Sequence, residues 1–292
     1  MLSILIPTYN YKIYTLVSEL HNQCEDAGIE FEIIVFEDGG LQYFKENIKI
    51  KSFKNASHTH SNENIGRTQA RFFLSYLSKY NWLLFLDADV LPTNSNFIKN
   101  YLEHINNSNQ VVIGGCKYKI ESKTEGTILR YKYGFEREDV TAIERNKNPY
   151  CYILSGNLLI QKEVFIQNNF PKETKYYGMD IYFASKLMSN NIKVLHIENP
   201  IYHLGLERNE VFFEKCLQAV KSRKETLINE PEIEKINSLL KYYKKIKRLK
   251  LKGLTSLLFK LFEKKLRLMI LSKNPNLFYL DVYRLGYICT LK

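Results

Sequence analysis

A chain of 292 residues, 45% apolar and 25% charged, has the composition of an ordinary globular protein with a substantial core. The net charge of +11 is confined to one end: residues 211–292 hold 19 Lys and Arg against 7 Asp and Glu, while residues 1–210 hold 23 and 24. A nucleic-acid binder needs basic residues interleaved with stacking aromatics, and the basic run offers only Tyr242 and Tyr243, so that class is excluded. No apolar stretch approaches the roughly 20 residues of a spanning helix, and no repeat or low-complexity segment is present. Cys24, Cys116, Cys151, Cys216 and Cys289 are odd in number and scattered without a C-x-x-C pair, which predicts reduced, mostly buried thiols. The amino terminus enters a strand without a basic leader, and a cytoplasmic location is expected.

Leu2–Ile6 reads as a strand closed by the turn Pro7-Thr8-Tyr9-Asn10, before a helical pattern from Ile13 to Ala27. A second apolar run, Phe31–Phe36, ends in Glu37-Asp38-Gly39-Gly40. Asn64-Ile65-Gly66-Arg67-Thr68-Gln69-Ala70-Arg71 then opens a helix that precedes Trp82–Leu86, a run apolar enough for a strand buried on both faces. Strand, polar loop, helix, strand and acidic loop predict an α/β fold whose ligands bind beyond the carboxyl ends of parallel strands.

The exit of the Trp82 strand is Asp87-Ala88-Asp89. Strand side chains alternate, so both carboxylates point to one side and Ala88 to the other, and paired hard oxygens suit Mg²⁺ or Mn²⁺ bridging to phosphates. A solvated turn or a helix N-cap accounts equally well for D-x-D alone.

Further on, Gln110–Cys116 reads as a strand with small residues at its exit, and Thr124–Asn148 as a charged, aromatic segment, either an acceptor-binding excursion or, the safer reading, a solvated surface helix. Cys151–Ile160 reads as a strand broken by Ser155-Gly156-Asn157, with a helix over Lys162–Asn168. Gly178-Met179-Asp180 opens a helix over Ile181–Met188, where an acid caps free N–H groups and suits the helix dipole. Ile192–Ile197 is a strand, and His203 follows it; His58 and His60 near the third strand have no evident role.

The four ordered stretches Ile6–Asn10, Val35–Gly39, Asn64–Arg71 and Asp87–Asp89 resemble the family 2 glycosyltransferases, which transfer a sugar from a nucleotide diphosphate donor with inversion. The resemblance implies a GT-A type α/β fold, with a mostly parallel, Rossmann-like central sheet flanked by helices. By the same resemblance Pro7, Thr8, Tyr9, Asn10, Glu37, Asp38, Asn64, Arg67, Arg71, Asp87 and Ala88 would line the nucleotide site. Glu37 departs from the family's usual first aspartate. Asp89, His203 and Asp87 would hold Mn²⁺ or Mg²⁺ against the donor phosphates. Asp180 would be the general base on the acceptor hydroxyl, with Gly156, Asn157 and Met179 facing the acceptor, although Met179 stands where the family carries Glu. The donor implied is UDP-hexose or UDP-N-acetylhexosamine and the acceptor a glycan or lipid-linked saccharide, in surface polysaccharide assembly. A nucleotidyltransferase acting on sugar phosphates and a non-catalytic carbohydrate- or membrane-binding module are the alternatives.

On this reading residues 1–110 bind nucleotide sugar, 110–210 face the acceptor, and 211–292 form a basic amphipathic helical extension. Within the extension Lys241–Lys252 is dense in cations, and Leu254, Leu257, Leu258, Leu261, Phe262, Leu268 and Met269 recur at helical spacing. Residues 241–272 can therefore lie on an anionic membrane surface, peripheral on the inner face of the cytoplasmic membrane, or pack the stripe on the catalytic domain.

Overall fold

A computed structural model describes residues 1–106, 108–170 and 176–292. Ten strands are present among them: β1 (Leu2–Thr8), β2 (Phe31–Asp38), β3 (Ala56–Ser61), β4 (Trp82–Leu86), β5 (Val90–Pro92), β6 (Val111–Ile113), β7 (Cys116–Lys117), β8 (Asn157–Gln161), β9 (Val194–His196) and β10 (Ile201–His203). Seven form one sheet in the order β3-β2-β1-β4-β8-β6-β9, with only β8 antiparallel to its neighbours. The remaining three form a small sheet, β5-β10-β7.

The alternation of apolar side chains explains why helices cover both faces. Ile4, Ile6, Leu84 and Leu86 point into one core with Leu16, Val17 and Leu20 of the helix Tyr14–Asp26. Leu5, Leu83 and Phe85 point the opposite way, into a core with Ala70 and Leu74 of the helix Arg67–Leu77 and Phe165 and Phe183. Strands apolar at every position are the ones a sheet buries on both sides. The helix over Asp180–Ser189 starts at the expected acid.

The second half departs from the sequence reading in four places. Gln110–Cys116 is two strands in different sheets, because Gly114 and Gly115, the latter at φ +87°, turn the chain between β6 and β7. Only the later part of Cys151–Ile160 is strand: Pro149 starts a tight helical turn through Tyr152, and β8 begins at Asn157. Thr124–Asn148 is no solvated helix; it forms the helices Ile128–Arg137 and Ala142–Lys147, which bury Leu129, Arg130, Tyr131 and Arg145. His203 does not simply trail from a strand but ends β10, paired antiparallel to β5 with His203 opposite Val90.

The extension folds into the helices Asn209–Leu227, Ser238–Arg248, Lys252–Ile270 and Leu277–Thr290, with a single turn at Ile233–Ile236. Two clusters bind it to the rest, one around Ala184, Val220, Leu240, Tyr243 and Ile288 and another around Leu129, Phe213, Phe259, Leu280 and Tyr283. All five cysteines are free, and all but Cys151 are buried. No helix among the described residues is long and apolar enough to cross a membrane.

Candidate active site

A cavity of about 220 Å³ lies just beyond the end of β4. Asp87 and Asp89 both line it, while Ala88 packs toward the core, as strand alternation demands. A glycine stands against each carboxylate. A Cβ on Gly156 would lie 2.5 Å from Asp87 Oδ2, and one on Gly205 would lie 2.0 Å from Asp89 Oδ2, so only a residue without a side chain fits at either place.

The two acids differ in their surroundings. Arg71, whose side chain is 6% exposed, donates from Nη2 to Asp87 Oδ1 at 2.5 Å, and Arg67 Nη1 stands 3.8 Å from Oδ2. Burial alone would raise the Asp87 carboxyl, but Arg67, Arg71 and His203 outweigh it and hold it at about 2. Asp89 has no arginine at ion-pair distance among the described residues. Burial raises its pKa, with His203 opposing and Asp87 reinforcing the shift. His203 Nε2 lies 3.6 Å from Asp89 Oδ2, its ring tilted over Tyr118, and its buried Nδ1 has no hydrogen-bond partner.

No group of three or more His, Cys, Asp or Glu side chains among the described residues forms a complete metal cage. Asp89 and His203 nevertheless suit half of one: a half-buried, under-compensated carboxylate and an imidazole line the same space. A hydrated divalent cation characteristically takes one or two protein ligands and completes its shell with water and phosphate oxygens. Asp87, neutralised by two arginines, is committed to holding them.

On the other side of the cavity Asp180 begins its helix, and Ser155 Oγ donates to its Oδ1 at 2.5 Å. Oδ2 has no recorded partner among the described residues. Met179 and Gly178 line the wall beside it, and Gly178, at φ +79°, lets the loop approach Ala219 of the helix Asn209–Leu227.

Other expected nucleotide and acceptor residues do not line this cavity. Asp38 is 4% exposed, and its carboxylate accepts the backbone N–H groups of Ile65 (2.6 Å) and Gly66 (2.9 Å), fastening the start of the helix that carries Arg67 and Arg71. Asn64 Nδ2 donates to the Asp38 carbonyl at 3.1 Å. Glu37 is wholly buried, accepting from Asn47 Nδ2 at 2.9 Å and lying 3.6 Å from His58. That gives His58 a structural setting the sequence did not suggest. Thr8 is buried with its hydroxyl on the Tyr11 carbonyl, Pro7 lies within β1, Asn10 adopts φ +51° and accepts from Gln42 N–H, and Tyr9 is 56% exposed. Asn157 is fully buried: Tyr101 donates to its Oδ1 at 2.7 Å and its Nδ2 donates to the carbonyls of Gly115 and Asn199. Its side chain therefore holds the two sheets together instead of facing the cavity.

The sequence reading missed Ser155 as a partner of Asp180, Gly205, and an outer wall of Tyr118, Arg130, Glu138, Glu207, Arg223 and Arg284. Arg130 donates to Tyr118 Oη and Glu138 Oε2 and pairs with Glu207 Oε2 at 3.3 Å. An arginine flanked by acids and aromatics was visible as a pattern; which of the chain's arginines share a wall depends on tertiary placement.

The family model described as Glycosyl transferase family 2 matches residues 3–167, more than half of the chain. Among solved structures, the chain is similar to Staphylococcus aureus TarS residues 1–349 in complex with UDP-GlcNAc, at 17% identity, TM-score 0.51, covering 80% of this chain and 70% of that one. It is also similar to the mannosyltransferase PcManGT from Pyrobaculum calidifontis in complex with GDP-Man and Mn²⁺, at 13% identity, TM-score 0.57, covering 80% and 68%. Against the longer S. aureus TarS structure the identity is 20% and the TM-score 0.52, and the chain spans 42% of that protein. These likenesses establish the fold. No curated protein matches the chain.

Proposed function

Because the chain belongs to glycosyl transferase family 2, we propose that it is a metal-dependent, inverting enzyme that moves a hexosyl or N-acetylhexosaminyl unit from a UDP-sugar to a hydroxyl of a glycan or lipid-linked saccharide. The observation that carries this reading is the facing of Asp89 and His203 by the Ser155–Asp180 pair across one cavity. UDP-GlcNAc on TarS and GDP-Man on PcManGT support a nucleotide diphosphate sugar as donor, and the Mn²⁺ of PcManGT supports a divalent ion.

Asp89 and His203 would hold Mn²⁺ or Mg²⁺, which would supply neutralisation of the departing diphosphate when bound. Arg71 fixes Asp87, and Arg67, paired with Asp87 at 3.8 Å but with its side chain 55% exposed, can offer its outer face to the phosphates. Ser155 occupies Asp180 Oδ1, which leaves Oδ2 to take the proton of the acceptor hydroxyl. The acceptor oxygen then bonds to the anomeric carbon as the carbon–oxygen bond to the diphosphate breaks on the opposite face. One displacement inverts the configuration.

The test combines product and variant. Incubation with UDP-sugars, Mn²⁺ and a saccharide acceptor should yield a glycoside and UDP, whereas pyrophosphate released from UTP and a sugar 1-phosphate would favour a nucleotidyltransferase, and no turnover of either set a binding module. Asp180→Asn should lower transfer by at least about a thousandfold while UDP affinity persists; full activity in that variant would remove Asp180 from the role.

The extension supports a second part of the proposal, attachment to the inner face of the cytoplasmic membrane during surface polysaccharide assembly. On the helix Lys252–Ile270 only Phe259 and Ile270 are buried, and Leu254, Leu257, Leu258, Leu261, Phe262 and Leu268 face outward beside Lys260, Lys264 and Lys265. Apolar anchors flanked by lysines suit an anionic lipid surface.

A further inference from the structure

Two guanidinium groups reach the cavity from helices that lie beyond the family match, and neither is properly neutralised. Arg223 comes from Asn209–Leu227 and Arg284 from Leu277–Thr290, and both line the cavity with Tyr177, Gly178 and Asp180. The other cavity arginines are matched: Arg67 and Arg71 by Asp87, Arg130 by Glu138 and Glu207. Arg284 is 9% exposed and its Nε has no hydrogen-bond partner. Asp281 Oδ1 stands 3.6 Å from its Nη1, but that carboxylate is already gripped by Arg137 at 3.0 and 2.6 Å. Arg223 makes no hydrogen bond or ion pair among the described residues, and its Nε is buried.

A cation partly out of water and short of carboxylate is costly, and two together compound the cost. Burial first, and Arg284 second, push the Arg223 guanidinium down to about 10, the direction that crowded, desolvated positive charge gives. Such a pair lines a binding cavity stably when a ligand brings the missing negative charge. Its place is informative too. Arg223 Nη2 lies 3.6 Å from the point that a Cβ on Gly178 would occupy, two residues before Asp180. Arg223 therefore lies beside the loop that carries the proposed general base.

We propose that Arg223 and Arg284 form a subsite for an anionic group, a phosphate or a carboxylate, carried into the cavity by the acceptor. The subsite rests on the glycosyltransferase reading for its acceptor, but its anion affinity does not. Planar guanidinium forks match the oxygens of either anion in a bidentate manner, and the unpaired Nε atoms supply the donors. The acceptor class is then a phosphorylated or acidic saccharide, and the discrimination against neutral acceptors lies in the extension.

The test uses the full chain. With UDP and Mn²⁺ saturating, inorganic phosphate is titrated by calorimetry against wild type, Arg223→Gln/Arg284→Gln, and Lys221→Gln, an exposed charge on the same helix. Phosphate should bind wild type and Lys221→Gln alike and the double variant at least tenfold more weakly. The double variant should also melt no lower than wild type, because it loses one unpaired cation and one that only shares Asp281 with Arg137. A lower melting temperature with unchanged phosphate affinity identifies a purely structural pair and overturns the proposal, as does wild type failing to bind phosphate. Glucose 6-phosphate against glucose, and UDP-glucuronic acid against UDP-glucose, then locate the anion. A preference for the phosphorylated sugar that vanishes in the double variant places it on the acceptor. A preference for the glucuronate donor that vanishes places it on the donor and overturns the acceptor assignment, and no preference in either pair overturns the subsite. If UDP itself does not bind, the transferase reading fails, and the phosphate titration without nucleotide still decides the anion site.

Discussion

Gly205 and Gly156 set the reach of the two acids that the Asp87-Ala88-Asp89 motif announces. Because a Cβ on Gly205 would overlap Asp89 Oδ2, Gly205→Ala must push that carboxylate off His203. The expected result is a fold-retaining variant whose Mn²⁺-dependent UDP affinity falls on the order of tenfold or more, read by calorimetry with and without the ion. Asp87 offers a pH signature. Its folded pKa of about 2 is depressed below the usual carboxylate value, so its contribution to stability is complete above about pH 5 and is lost as pH falls through the folded value. Of that contribution, about 2 kcal/mol should disappear between roughly pH 5 and 2, seen as a narrowing gap between the denaturation midpoints of wild type and Asp87→Asn. The acids and Asp180 were legible because a short motif at a strand or helix end is local information. Gly205 was not, since nothing in the residues around it says which side chain will lie against its backbone.

Among the elements, the first half of the chain is legible in its residue pattern and the second is not. β1, β2 and β4 are long apolar runs separated by helices of clear period, so pattern and fold coincide. β6, β7, β9 and β10 have two or three residues each, too few for any periodicity, and their pairing is set by contacts distant in sequence. Asn157 is the rivet there. A resemblance to an acceptor loop put it near substrate, whereas its hydrogen bonds tie β8 to Gly115 and Asn199 at the junction of the two sheets. Asn157→Ala would strand the Tyr101 hydroxyl and two buried carbonyls, and should cost about 3 kcal/mol in urea denaturation while leaving the affinity of the remaining folded protein for UDP unchanged. A variant as stable as wild type would refute this structural role.

Across the whole molecule, the extension both completes the wall of the cavity and carries an outward apolar stripe. The sequence displayed the stripe but left open whether the domain covers it; in the structure Phe259 does the packing, against Tyr283 and the space over Gly286, while the leucines remain outside. Leu257→Ser/Leu261→Ser/Phe262→Ser should therefore leave the melting temperature within a degree or so yet abolish sedimentation with anionic vesicles, and wild-type binding should weaken as salt screens the lysines. Salt-independent solubility without vesicle binding would speak against the attachment. One further consequence belongs to the small sheet, where His203 faces its ion partner only because β10 meets β5 in a single alignment. Strands repeat every second residue, so a one-residue slip of β10 against β5 would turn the imidazole to the far face and pull the buried Ile201 out of the core. Segment length is thus the tightest constraint on this part of the gene, and tolerated indels should be found everywhere in the surrounding loops before they are found there.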